Sequence, residues 1–102
     1  MIVQTGTLAA LNATSTPVQI TGTFNVSAWA GNGVLTLQRS FDLGTTWLGI
    51  AIVTTNGLTP LGVVTGSAGG TSIVHVEPET GVQYRLIASA FNSGPINYRI
   101  SQ

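Results

Sequence analysis

The residues of this chain that could carry acid–base or metal chemistry lie around its single histidine. His75 and Glu77 are two residues apart in a segment with β-branched neighbours. Residues two apart on a strand share a face, so this pair could act as a base and its orienting group, or supply two metal ligands. The same alternation describes the polar outer face of an edge strand, with Val74 and Val76 in the core. We expect this second arrangement, with no metal or other cofactor.

A nucleophilic triad could be assembled only from Ser40, Asp42 and His75. Ser40 and Asp42, however, belong to the segment SFDLGTTW at residues 40–47, which fits S-x-D-x-G-x-T-W at every defined position. In such a turn Asp42 accepts hydrogen bonds from the turn's own amides, and Gly44 supplies a special backbone dihedral. A triad would require Ser40 and Asp42 to leave their positions in this turn. We therefore predict that the chain is not an enzyme.

The segment 40–47 resembles an Asp box, a β-hairpin motif that repeats on sialidase-type propeller blades and also occurs singly in unrelated β-proteins. The resemblance covers eight residues and implies a structural hairpin, in which Ser40 and Thr46 cross-link the strands and Trp47 covers them. A propeller needs several blades of about four strands each. One copy in 102 residues is therefore no sialidase.

Composition excludes several function classes. Charged residues are 6% of the 102-residue chain, hydrophobic residues are 43%, and lysine and cysteine are absent, so disulfides, cysteine metal sites and lysine chemistry are excluded. The formal net charge is zero, with three scattered arginines; this argues against nucleic acid as a partner. The apolar runs are too short to span a membrane. A neutral surface favours association, so we expect a homo-oligomer.

Period-two alternation and frequent turn signals predict one all-β domain over residues 1–102, a small antiparallel β-sandwich or barrel of about seven to eight strands. Hairpins are predicted at Gly31-Asn32-Gly33 and at Asn92-Ser93-Gly94-Pro95. The glycine-rich centre at 66–70 is predicted to be a loop. The candidate strands are Ile2–Ala9, Val18–Ala28, Val34–Phe41, Trp47–Thr54, Gly62–Thr65, Ser72–Glu77, Val82–Phe91 and Ile96–Ser101.

Two segments, 24–32 and 84–92, share an aromatic start, two alternate alanines and an asparagine at the turn. Such segments are either equivalent strands of two packed hairpins or a chance similarity. If they are equivalent, alternate residues of one face those of the other across a sandwich, where small alanines permit close approach of the sheets. The facing residues would be Phe24, Val26 and Ala28 on one strand and Tyr84, Leu86 and Ala88 on the other.

Candidate interface residues lie near the N-terminus and at one tryptophan. Residues 1–16, which include Ile2 and Val3, are either an ordinary first strand and loop or an N-terminal arm that pairs with a neighbouring subunit. Trp29 is out of phase with Phe24 and Val26, so it is predicted to face outward beside the glycine turn. There it could anchor an interface, cover the end of the sheet or stack on a sugar ring.

A wider resemblance covers about two-thirds of the chain. Residues 37–42, Thr46-Trp47, the segments 77–79 and 81–85, and the ending INYRISQ at 96–102 are similar to small virion proteins of tailed bacteriophages. The resemblance implies a structural protein, a capsid decoration (cement) subunit on the capsid surface, made in the host cytoplasm. Its partners would be the major capsid protein and its own copies, for example as a trimer. The alternative is a glycan-binding module at a fibre or tail tip.

Overall fold

The strands of this chain have one apolar face each, so the sheets that they form are apolar on one side. Two such sheets bury their apolar sides by packing against each other. The computed structural model describes residues 2–54, 57–60, 63–66 and 70–102. Within these residues it is all-β, as predicted, and forms a small β-sandwich. The strands are β1 (Val3–Leu8), β2 (Val18–Gln19), β3 (Gly22–Trp29), β4 (Asn32–Ser40), β5 (Leu48–Gly49), β6 (Ala51–Thr54), β7 (Gly57–Pro60), β8 (Val63–Gly66), β9 (Thr71–Glu77), β10 (Gln83–Ser93) and β11 (Ile96–Ser101).

The strands form two principal antiparallel sheets. The first sheet has the order β1-β11-β3-β9, and the second has the order β2-β10-β4-β5, with β8 also paired to β4. A separate ladder joins β6 to β7. The first and last strands of the chain are neighbours, because β1 pairs with β11 along its whole length. The two edge strands of the first sheet are therefore β1 and β9.

The core lies between the two sheets and contains the residues predicted to face each other. Phe24, Val26 and Ala28 of β3 are buried, as are Tyr84, Leu86 and Ala88 of β10. The rings of Phe24 and Tyr84 are 4.8 Å apart at their centroids. The two strands thus face one another across the core, as expected if the segments 24–32 and 84–92 are equivalent. The other buried hydrophobic residues are Leu8, Ile20, Leu35, Leu37, Val82, Ile96, Tyr98 and Ile100.

The two predicted hairpins are wrong, because each glycine turn joins strands of different sheets. The turn at Gly31 leads from β3 in the first sheet to β4 in the second, and the turn at Gly94 leads from β10 back to β11. Each turn is thus an arch across the core. The strands pair between arches instead, β3 with β11 and β4 with β10. Asparagine and glycine permit a tight turn, but they do not specify whether the flanking strands pair.

Two of the predicted strands are each divided in two. Val18–Ala28 is split between β2 of the second sheet and β3 of the first, and Gly22, the first residue of β3, has a φ of +85°. A positive φ allows the chain to turn away without a steric penalty at glycine. Trp47–Thr54 is split at Ile50 into β5 and β6. In the predicted loop at 66–70, residues 67–69 lie outside the described residues.

The N-terminal segment lies against its own domain. β1 pairs with β11, and the following residues cross to the second sheet, where the Asn12 and Ser15 amides donate to Ala88 and Leu86 carbonyls at 2.9 Å. The buried Ser15 hydroxyl also accepts the Leu86 amide at 2.7 Å. The described part of the candidate arm therefore makes the contacts of an ordinary first strand and loop.

Replacement of Gly33 by alanine is expected to destabilise the fold by about 1–3 kcal/mol, the usual cost of overpacking. A Cβ at Gly33 would lie 2.4 Å from the Ala90 carbonyl oxygen and 2.9 Å from Ile96 Cδ1. Gly49→Ala is the matched control, because a Cβ at Gly49 meets nothing within 4 Å. Urea denaturation of both variants measures the difference. Equal stabilities for G33A and G49A would contradict the close approach of the two arches.

Candidate functional site

A buried carboxylate with three kinds of donor forms the chemical centre of the molecule. Glu77, at the end of β9, is 1% exposed. Its two oxygens accept hydrogen bonds from Arg39 Nε and from Arg39 Nη2, the latter at 3.1 Å. It also accepts the Tyr84 hydroxyl at 2.7 Å and the backbone amide of Glu79 at 2.9 Å. We call Arg39, His75, Glu77 and Tyr84 the ionic network.

The hydrogen bonds define the tautomer of His75. A tyrosine hydroxyl has one proton to donate, and the Tyr84 proton is directed to Glu77 Oε1. His75 Nε2 lies 3.1 Å from the Tyr84 oxygen, so in the neutral ring Nε2 carries the proton and donates it to that oxygen. The histidine therefore contacts the carboxylate only through Tyr84, and no base and orienting pair of His75 with Glu77 is formed.

The electrostatics of the network favour ionised Glu77 and Arg39 with neutral His75 and Tyr84. The hydrogen bonds from Arg39 lower the pKa of Glu77 to about 2 despite its burial. Burial lowers the pKa of His75. Burial, followed by the Glu77 carboxylate, raises the pKa of Tyr84, and the bond to Glu77 raises that of Arg39. At neutral pH the network is thus a closed ion pair, with no spare base among its oxygens.

The predicted orientation of β9 is wrong. Val74 and Val76, expected in the core, are 65% and 57% exposed, whereas Glu77 is buried and His75 half-buried. The cause is the register with β3, which pairs Phe24 with His75. Directly paired residues of an antiparallel ladder face the same side, and Phe24 faces the core. Arg39 compensates the charge that this orientation buries.

An open pocket of about 400 Å³ lies beside the network. Its walls include all four network residues, together with apolar groups of Leu48, Ile50, Val76 and Pro78. Among the described residues, no three His, Cys, Asp or Glu side chains are grouped so that they could hold a metal ion. The pocket offers a neutral histidine and an apolar wall, while the charges are paired with each other.

The Asp-box segment forms the connection between β4 and β5. The Ser40 hydroxyl donates to Asp42 Oδ1 at 2.7 Å and accepts the Gly44 amide at 2.8 Å, while Asp42 Oδ1 also accepts the Thr46 amide at 2.8 Å. Gly44 has a φ of +88°. The bond from the Thr46 amide, followed by that from the Ser40 hydroxyl, lowers the pKa of Asp42. Ser40 thus binds within the turn rather than across the strands.

Trp47 covers this turn from one side. Its Nε1 and Cζ2 atoms lie 3.8 and 3.6 Å from the position that a Cβ would take on Gly44. The Arg85 guanidinium lies 4.3 Å from the centre of the Trp47 ring, and Arg85 Nε donates to Gln38 at 2.8 Å. The five Asp-box residues are therefore brought together in a hydrogen-bonded turn, and Leu43, between Asp42 and Gly44, is 78% exposed.

A second candidate site is the solvent-facing side of the first sheet, which we call the outer face. It carries one charged residue among the described positions, Arg99. Its apolar members are unusually open to solvent: Val74 (65%), Val76 (57%), Val3 (45%) and Trp29 (41%). The remaining members are small polar side chains: Thr5, Thr7, Thr23, Asn25, Ser27, Ser72, Asn97 and Ser101.

The candidate interface residues occupy different parts of this sheet. Trp29 faces outward as predicted and borders a shallow pocket of about 310 Å³ with Ser27, Ser72 and the backbone near Gly70. Val3 lies on the outer face, at the β1 edge. Ile2 is partly buried and packs against the core, so it contributes little exposed surface.

Sequence reasoning missed the ionic network because it treated Arg39 as an isolated cation and Glu77 as an outward residue. One signal was present in β4, where Arg39 is in phase with Leu35 and Leu37, two residues that are fully buried. An arginine that follows core positions at a spacing of two needs a buried counter-ion. The chain has only three acidic residues, so the position of Arg39 limited its counter-ion to one of three carboxylates.

No protein family matches the chain, and no curated protein matches it either. The described residues contain no helix that is long and apolar enough to cross a membrane.

Proposed function

We propose that this chain is a structural subunit of a phage virion, a capsid decoration protein that docks on the head lattice through its outer face. The observation that carries the proposal is the composition of that face: four apolar side chains at least 41% exposed, small polar groups and one charge. Val74 and Val76 are neighbours on this face of β9, and large apolar side chains left open to solvent on a nearly uncharged sheet suit an interaction site.

The mechanism is mechanical. A subunit that bridges neighbouring shell proteins adds interface free energy that the shell must lose before it ruptures. The major capsid protein is the partner in this proposal, together with further copies of the chain as a trimer or another closed oligomer. Because the face has a single charge, docking depends on apolar contact and hydrogen bonds and changes little with salt.

The ionic network fits a structural protein better than an enzyme. The Glu77 oxygens already accept hydrogen bonds from Arg39, Tyr84 and the Glu79 amide, so they are not free to act as a base. A general base must reach a substrate proton. The network instead fixes β9 to the second sheet, and so holds Val74 and Val76 on the outer face.

Replacement of Val76 by glutamate is expected to weaken binding to particles at least tenfold. The change places a carboxylate, which would be desolvated without a partner, on the docking face at the edge strand β9. Leu43→Glu is the matched control, since Leu43 is apolar and even more exposed but lies on the β4–β5 turn of the other sheet. The measurement is cosedimentation of each variant with phage heads that lack the protein. Loss of binding by L43E with retention by V76E would contradict docking through the outer face.

A second candidate function, glycan binding at a fibre or tail tip, is favoured by one observation. Trp29 is 41% exposed beside the hydroxyls of Ser27 and Ser72, and an aromatic ring with neighbouring hydroxyls suits a sugar. Trp29→Ala distinguishes the two functions, because it lowers particle binding under the first and oligosaccharide binding under the second. Loss of neither would remove Trp29 from both proposals.

A further inference from the structure

The outer edge of β1 presents unused backbone groups. None of the described residues pairs with that side of the strand. The Ile2 carbonyl accepts the Gln102 amide at 2.9 Å, on the side of β11. Residues two apart along a strand direct their backbone groups to the same side. Gln4, Gly6 and Leu8 therefore bond to β11 as Ile2 does, and the N–H and C=O groups of alternate residues, Val3, Thr5 and Thr7, point outward.

This edge lacks the devices that usually prevent strand addition. Such devices are charged side chains, prolines, bulges and very short strands. β1 has six residues with no charge and no proline, and its register with β11 runs without a break from Val3 to Leu8. By contrast, the opposite edge strand β9 ends in the inward-pointing charge of Glu77, followed by Pro78.

We propose that β1 pairs antiparallel with β1 of a second copy of this chain, about a two-fold axis at Thr5. In this register Thr5 lies opposite Thr5, and Val3 opposite Thr7. Val3, Thr5 and Thr7 are the residues whose backbone N–H and C=O groups point outward. Each of the three pairs therefore exchanges two backbone hydrogen bonds. Residues of the same face meet throughout. A shift by one residue would place outer side chains opposite inner ones.

A second copy is the occupant that this edge fits best. In the register given above, β1 is complementary to itself. A strand of another protein would need a sequence that happens to fit this edge. The chain has a formal net charge of zero, so two copies approach without repulsion. The pairs of threonine with threonine and valine with threonine are β-branched, which favours sheet pairing. This pairing joins two outer faces into one eight-stranded surface, and it holds whether or not that surface docks on a lattice.

Thr5→Cys tests the register directly. The chain has no cysteine, so any disulfide in this variant joins two chains. Across the axis the two Thr5 Cα atoms are expected about 5.5 Å apart, within disulfide range. Thr7→Cys is the matched control, because its own symmetry mate is displaced by four residues, about 13 Å along the strand. We expect T5C to form a disulfide dimer at least ten times faster than T7C under mild oxidation.

Light scattering with size-exclusion chromatography keeps the test independent of cysteine chemistry. The wild-type chain is expected to approach twice the monomer mass of 10.5 kDa as its concentration rises. Thr5→Pro is expected to remain monomeric over the same series with an unchanged circular dichroism spectrum, since the Thr5 amide is not used in the β11 ladder and proline is tolerated at strand edges. Equal cross-linking of T5C and T7C, or a T5P variant that dimerises like the wild type, would overturn the proposal.

Discussion

Replacement of Glu77 by glutamine is expected to lower the free energy of unfolding by about 3 kcal/mol, near the lower end of the cost of removing one partner from a buried ion pair. The lower end applies because Arg39 retains 23% side-chain exposure, whereas Glu77 has 1%. The amide removes the charge that compensates Arg39. Arg39 and Tyr84 both donate hydrogen bonds to this side chain. The NH₂ group of glutamine is itself a donor, so it would face other donors.

Glu79→Gln is the matched control for this variant. Glu79 Oε1 lies 3.4 Å from Arg39 Nη2, but its side chain is 63% exposed. Exposed ion pairs contribute only about 0–1 kcal/mol. Urea denaturation followed by circular dichroism measures both variants. Because small domains are stable by only about 5–15 kcal/mol, the loss in E77Q is large. Equal, small losses in E77Q and E79Q would mean that Glu77 is solvated rather than buried.

Acidification is expected to reduce stability in two stages, with the larger loss below pH 4.5. The pKa of Glu77 is about 2 in the folded protein, against an ordinary value of 4.5. A carboxyl with a lowered folded pKa contributes stability that is present above its unfolded pKa and is lost as the pH falls towards the folded pKa. The interval from 4.5 to about 2 corresponds to about 3 kcal/mol at 1.36 kcal/mol per pH unit.

The earlier, smaller stage comes from His75. Its folded pKa lies below the ordinary value of 6.5 because of burial. The unfolded chain therefore takes up the proton first, and stability falls as the pH drops below about 6.5. The measurement is the free energy of unfolding as a function of pH for the wild type, E77Q and His75→Asn. We expect E77Q to lack most of the loss between pH 4.5 and 2, and H75N to lack the earlier stage. Profiles identical to the wild type would contradict both assignments.

The fold class followed from the sequence because alternation is a local property. The period of two places Phe24, Val26 and Ala28 on one side of a strand whatever its neighbours are. The buried face of β3 could therefore be predicted, whereas its position opposite β10 was one of two alternatives that the sequence left open. The pairing of strands could not be predicted, since the turns at Gly31 and Gly94 are compatible both with a hairpin and with an arch. That choice is made by contacts between distant segments, such as β1 with β11.

The orientation of β9 shows where local reasoning failed. Val74 and Val76 are more apolar than His75 and Glu77, and on that ground the sequence predicts them to lie in the core. Register with β3 places His75 beside Phe24 instead, and the Arg39–Glu77 pair makes the inward carboxylate tolerable. The hydrogen bond from the Thr46 amide to Asp42, by contrast, follows from the spacing of one short segment. Sites within one turn were predictable, and sites shared by two sheets were not.

Copy number tests the central claim most directly, namely that this chain is a structural subunit of a virion. The measurement is quantitative mass spectrometry of purified phage particles from the source of the chain, with the ratio taken against the major capsid protein. A decoration subunit is expected at a ratio near one, or at a simple fraction set by lattice symmetry. A few copies per particle would instead support a fibre or tail location with glycan binding. Absence from the particles would contradict the virion function altogether.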